Sequence, residues 1–120
     1  MKHYAVLLLL FSALACKQSE HVPPAISFYY WRTTFALAAS EHEALQRHGV
    51  TRLYMRYFDV VLKQGDAVPV SPIVFQEAPP GQITVVPVIY IRNEVMLDNA
   101  LDTEALVQKI IAYIAQINAG

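Results

Sequence analysis

The chain has 120 residues, 55% of them hydrophobic and 16% charged, which leaves room for one domain and is apolar for a soluble one. Nine Lys and Arg against ten Asp and Glu give a formal net charge of −1. No basic patch stands out, so nucleic acid is not an expected partner.

The N-terminus reads "MKHYAVLLLLFSALACKQSE". Lys2 and His3 precede an apolar run from Tyr4 to Ala15. That run falls short of the ~20 residues of a membrane-spanning helix and fits the h-region of a secretory signal. Ser12-Ala13-Leu14-Ala15 leads directly into Cys16, the only cysteine. Small and apolar residues before a Cys resemble the lipobox of bacterial lipoproteins, with the favoured Leu one place later than usual. The resemblance implies cleavage before Cys16 and acylation of its thiol and new amino group. An ordinary signal with a chance Cys is the alternative. A lone thiol leaving the cytoplasm without a disulfide partner favours the lipid reading. Loss of Lys2 would make the mature charge more negative still, so attachment would come from lipid chains, not from a polybasic surface. Residues 1–15 thus read as signal, 16–25 ("CKQSEHVPPA") as a tether, and 26–120 as the domain.

"ISFYYW" (26–31) is aromatic and β-prone and predicts a first strand, ending in Arg32-Thr33-Thr34. Ser40-Glu41-His42-Glu43 has the form of a capping box, opening a short helix that stops at Gly49, a suitable C′ residue. Val50 to Leu62 predicts a second strand. Strand, helix, strand over this length is a βαβ unit, with parallel strands. From Lys63 to Gln82, Gly65, Pro69, Pro72, Pro79, Pro80 and Gly81 exclude a helix. Only "IVFQ" (73–76) suggests a short irregular strand, and so long an excursion points to function or disorder. "ITVVPVIYI" (83–91) predicts a third strand whose regular pairing begins at Pro87, because proline cannot donate to a ladder. Asp102 caps a final helix running to about Asn118, with Leu106, Ile110, Ile114 and Ile117, flanked by Val107 and Ile111, as a wide apolar stripe.

The order β-α-β-loop-β-α is α/β. Three parallel strands that look apolar on both faces need cover on both sides, and two helices are few for that. The expectation is an incomplete parallel β/α unit, the first part of a TIM-type (β/α) barrel, or one whose missing strands come from elsewhere. The sequence also stops at "INAG" straight after a helix.

In such folds ligands meet the C-terminal strand ends. Arg32, Thr33 and Thr34 lie after the first strand, Asp59 late in the second, and Arg92, Asn93 and Glu94 after the third. Arg32, Asp59, Arg92 and Asn93 are the ligand-binding candidates. "LYMRYFDVV" (53–61) is the unusual stretch, a buried-looking strand with two charges. By strict alternation Arg56 shares a face with Tyr54 and Phe58, and Asp59 with Met55 and Tyr57, so the two are not expected to pair. Each then needs its own partner: Arg32 or Arg92 for Asp59, and for Arg56 a carboxylate beyond the visible strands. Ion pairs that fix register stand against a ligand-binding role for at least one. Trp31 with Tyr29 and Tyr30 could stack a sugar ring, although core packing comes first for aromatics. His42 and His48, six residues apart on a helix, lack metal-ligand spacing, His21 sits in the tether, and no phosphate loop, G-x-S-x-G or Cys/His cluster occurs. No metal and no cofactor is expected.

Together, "SFYYWRTTFAL", "GVTRLYMRYFDV" and "VPVIYIRNEV" resemble the opening strands of uncharacterised envelope lipoproteins of Gram-negative bacteria, similar in turn to glycoside-hydrolase-like (β/α) barrels. The resemblance covers about residues 27–117 and implies a barrel whose polar strand ends, here Arg32, Asp59 and Asn93, face a pocket that takes a glycan. It also implies an address in the cell envelope, at the outer membrane ahead of the inner. Sugar-cleaving barrels usually carry their paired carboxylates on the fourth strand and later, which this chain lacks. A non-catalytic lipoprotein that binds a ligand or an envelope partner is the competing reading.

Overall fold

The computed structural model describes residues 22–120. The signal, Cys16, His21 and most of the tether lie outside the described residues. Six strands and three helices follow in order: β1 Phe28–Tyr30, β2 Thr34–Phe35, α1 Ala39–Arg47, β3 Arg52–Lys63, β4 Asp66–Val70, β5 Val74–Phe75, β6 Thr84–Ile91, α2 Asn93–Met96 and α3 Thr103–Ala119. The class is α/β as expected, and the strands of the described residues do not close into a barrel. β3 is the central strand, paired in parallel with β1 and β6.

β4 was not expected. It returns antiparallel to β3, from Asp59↔Val70 to Lys63↔Asp66. The two residues between, Gln64 and Gly65, both have positive φ, at 52° and 79°. That is the type I′ geometry whose twist matches a two-residue hairpin. Asp59 and Val60 pair with β4 and with β6, so β4 occupies the edge of β3 opposite β6, beyond the point where β1 stops. Pro69 is tolerated there because β4 is itself an edge strand. The rest of the excursion is also ordered: β5 pairs in parallel with β2, Thr34↔Val74 and Phe35↔Phe75, within the stretch expected to be a short strand.

Helix α1 starts earlier than its capping signal implies. Its N-cap is Ala38, which has no side-chain acceptor, so only the reciprocal half of a capping box forms: the Ala38 N–H donates to Glu41 Oε2 at 2.7 Å. Ser40 lies inside the helix, and Glu43 instead pairs with Arg47 one turn on. The C-terminus follows expectation. Gly49 takes φ +57°, its N–H reaches the Gln46 carbonyl and the Val50 N–H reaches that of Leu45. These two bonds are the Schellman pattern, and Leu45 and Val50 are both buried. A Cβ on Gly49 would meet nothing within 4 Å, so Gly49→Ala isolates the backbone cost of a left-handed residue. It should lower stability by about 1 kcal/mol, read as a shift of the urea midpoint at constant slope; an unchanged midpoint would contradict this terminus.

Pro87 does not delay the pairing of β6. The ladder with β3 runs from Thr84 to Ile91 straight through it. The Thr84 N–H donates to Thr51 and the Arg92 N–H to Val60, so even-numbered residues of β6 turn their backbone toward β3. Pro87 is odd, and its missing N–H faces the outer edge.

Asp102 caps α3 as expected, Oδ1 accepting from the Ala105 N–H at 3.0 Å. Leu106 is buried, and Ile110, Tyr113, Ile114 and Ile117 pack against the core, but Val107 and Ile111 are exposed, so the stripe is narrower than the sequence suggests. Residues paired across the ladders share a face. One face, with Leu53, Met55, Phe58 and Val60 all at most 2% exposed, lies in the core that α1 and α3 help to bury. The other, carrying Tyr29, Tyr54, Arg56, Val86, Val88 and Tyr90, has no layer over it among the described residues. Cover on both sides, expected from composition, is thus not observed.

Candidate functional site

The open face owes its chemistry to one extra residue. Along the β3–β6 ladder Arg56 pairs with Val88 and Phe58 with Ile89, which leaves Tyr57 unmatched as a β-bulge. Tyr57 and Phe58 both turn into the core. The Tyr57 hydroxyl donates to Asn118 Oδ1 at 2.8 Å, and the Phe58 ring meets Tyr113 edge-on at 4.9 Å. Burial pushes the Tyr57 phenol pKa up. Its carbonyl accepts from the Ile73 N–H, which ties the β4–β5 connection to the bulge.

The bulge resets the alternation, so Arg56 and Asp59 stand on the same, open face. They pair with each other, contrary to the expectation from strict alternation. Arg56 Nε donates to Asp59 Oδ1 at 2.8 Å and Nη2 donates to Oδ2, closing a two-pronged fork. Their side chains are 14% and 12% exposed. Arg56 therefore needs no carboxylate from further strands, and Asp59 needs neither Arg32 nor Arg92.

Trp31, just beyond β1, lies over this pair. The Arg56 guanidinium carbon is 5.2 Å from its ring centroid, a cation–π contact. Tyr29 flanks the indole at 5.4 Å and Tyr90 meets it edge-on at 6.2 Å. Tyr29, Trp31 and Tyr90 are each about half exposed, at 48%, 55% and 49%. Of the three aromatics expected to enter the core, only Tyr30 does. Its hydroxyl donates to the Thr34 carbonyl at 2.7 Å and accepts from the Ala36 N–H at 3.2 Å. That clamps the turn carrying Arg32, Thr33 and Thr34. Arg32 lies over the Tyr30 ring and gives both Glu41 oxygens a hydrogen bond through Nη2. The Glu41 carboxyl is held below its ordinary range, first by Arg32 and then by the Ala38 N–H, and Arg32 is raised in return.

Trp31, Arg32, Thr33, Thr34, Ala36 and Arg56 line an open cleft of about 570 Å³. Of the candidates read from sequence, Arg32 lines this cleft and Asp59 supports it through Arg56. Arg92 and Asn93 do not line it. Arg92 gives its backbone N–H to Val60 and caps α2, and Asn93 opens that helix, both exposed. His42 lies 3.7 Å from Glu77 Oε1, and among the described residues no three His, Cys, Asp or Glu gather as a metal site. No helix among them is long and apolar enough to cross a membrane.

No protein-family model, curated protein or solved structure matches this chain. The chemistry of the cleft is therefore that of its own groups. Both oxygens of Asp59 accept from Arg56, and both oxygens of Glu41 accept from Arg32, so neither carboxylate stands free as a base. What the arrangement offers is an aromatic shelf beside hydroxyls and guanidinium N–H donors. Alternation counting missed the pair and missed Tyr90. A signal was present in the sequence: Arg56 and Asp59 flank two consecutive apolar residues, Tyr57 and Phe58, where strict alternation between two residues of one face allows a single residue.

Proposed function

We propose that this chain is a lipid-anchored lipoprotein of the bacterial cell envelope, attached through acyl chains on Cys16. Its sheet is read as the opening portion of a TIM-type (β/α) barrel that handles carbohydrate. The observation that carries the barrel is the asymmetry of the sheet. The helices lie on one face, while the opposite face holds an ion pair and three half-exposed aromatics near the strand C-termini, where (β/α) barrels place their ligands. The anchor rests on the Ser12–Cys16 sequence and the absence of a second cysteine.

The engagement of both oxygens of Asp59 and of Glu41 by arginine favours a second reading, a lipoprotein that binds its ligand without cleaving it. Feeding cells an alkyne-tagged fatty acid tests the anchor: the chain should take up label and sediment with membranes, and Cys16→Ser should abolish both. Unlabelled wild type, or a labelled Cys16→Ser variant, would sink it. The native reading frame tests the barrel: continuation past Gly120 into further β/α units is expected, and a stop directly after it overturns that reading.

A further inference from the structure

We infer that the cleft at Trp31 is a binding subsite for a neutral pyranose ring of an oligosaccharide, with the indole as its stacking platform. The inference deepens the carbohydrate reading and rests on the open face being the ligand-facing one. Three observations carry it.

The first is the exposure of the aromatics. Among the described residues Trp31, Tyr29 and Tyr90 are half exposed and in ring contact, a contiguous aromatic patch of the kind that marks a binding surface. Such a patch suits the apolar C–H face of a sugar.

The second is donor supply. Asp59 engages Nε and Nη2 of Arg56. Glu41 engages only Nη2 of Arg32. Arg56 Nη1, and Arg32 Nη1 and Nε, have no carboxylate partner among the described residues. Both arginines line the cleft together with Thr33 and Thr34, residues whose hydroxyls both donate and accept.

The third decides the charge of the ligand. Each guanidinium is already matched by its own carboxylate, so the cleft offers many donors and little net field. A carboxylated or phosphorylated ligand would gain hydrogen bonds but no uncompensated cation. It would also face Asp59 and Glu41 behind them. A cationic ligand at the indole would sit beside the like charge of the Arg56 guanidinium, 5.2 Å from the ring centroid. A neutral polyhydroxylated ring meets neither penalty.

Trp31 is the only tryptophan, so fluorescence excited selectively at tryptophan reports on this site alone. The full chain, purified in a zwitterionic detergent that carries no sugar, is titrated with neutral gluco-, xylo-, manno- and N-acetylglucosamine oligosaccharides, and with oligogalacturonate as the anionic counterpart. A saturable change is expected with at least one neutral series, and about tenfold weaker binding of oligogalacturonate. Calorimetry on Trp31→Ala should show a loss of about tenfold or more, equal to roughly 1.4 kcal/mol, with Trp31→Phe retaining part of the affinity. The indole is half exposed and its contact with Arg56 contributes only modestly to stability, so Trp31→Ala should unfold at a modestly lower temperature and both variants should remain fully folded at the titration temperature, which separates lost binding from lost fold. Failure of every neutral series, a preference for oligogalacturonate, or undiminished binding by Trp31→Ala overturns the inference. Fatty-acid labelling of Cys16 and the reading frame past Gly120 are scored independently, so a failed titration removes the sugar without touching the anchor or the barrel.

Discussion

Arg56→Met should destabilise the domain by about 3 kcal/mol and Asp59→Asn by somewhat less, while the double variant should lose little more than either alone. The reasoning starts from burial. Asp59 is 9% exposed as a residue, and its hydrogen-bond donors among the described residues are Nε and Nη2 of Arg56. Without the guanidinium, the carboxylate keeps its desolvation cost and loses its compensation. Asp59→Asn strands a charge as well, but Arg56 retains the Trp31 ring at 5.2 Å, hence the smaller loss. Removing both leaves no buried charge. A double-mutant cycle in urea should therefore show a coupling of about 1.5–3 kcal/mol. Additive losses would mean that the fork contributes nothing as a pair.

Phe58→Ala should cost about 3–5 kcal/mol, a large share of the ~5–15 kcal/mol that holds a typical domain folded. Phe58 is 0% exposed, and its ring meets Tyr113 of α3 at 4.9 Å. It joins the central strand to the longest helix at the point where the bulge directs two aromatic residues inward. Truncation leaves a cavity between sheet and helix that neither can close, because β3 is paired with β6 at Phe58 and with both β6 and β4 from Asp59 on. Phe58→Leu keeps most of the volume and should cost about 1.5 kcal/mol or less. Urea unfolding of the two variants at constant slope checks the order. A loss below about 1 kcal/mol for Phe58→Ala would show that α3 does not depend on this contact.

Much of this fold was legible because its signals are local. Gly49 at the end of α1 and Asp102 at the start of α3 each announce a helix terminus through their own backbone or side chain. The three parallel strands stood out through β-branched and aromatic runs. β4 escaped because Gly65 and Pro69, read only as obstacles to a helix, are here a hairpin turn and an edge-strand residue. The site was half legible. Arg32 and Asp59 stood out as charges at strand ends, but their partners did not. Pairing across a strand follows from counting residues, and an inserted residue changes the parity of every count that crosses it. Tyr57 is that residue. Trp31 was assigned to the core because aromatics usually go there, and no local signal distinguishes its exposed face from the buried one of Tyr30.

The orientation of Pro87 has a consequence for assembly. The outer edge of β6 faces no strand among the described residues, and free edges recruit foreign strands. At Pro87 that edge has a carbonyl but no donor, so an incoming chain finds its hydrogen-bond sequence broken halfway along. A matching strand must leave one acceptor idle there or bow away to water it. A strand shaped to that gap can complete the sheet, and a second copy of β6 laid alongside in register would meet its own defect, which guards the edge against stacking into fibrils.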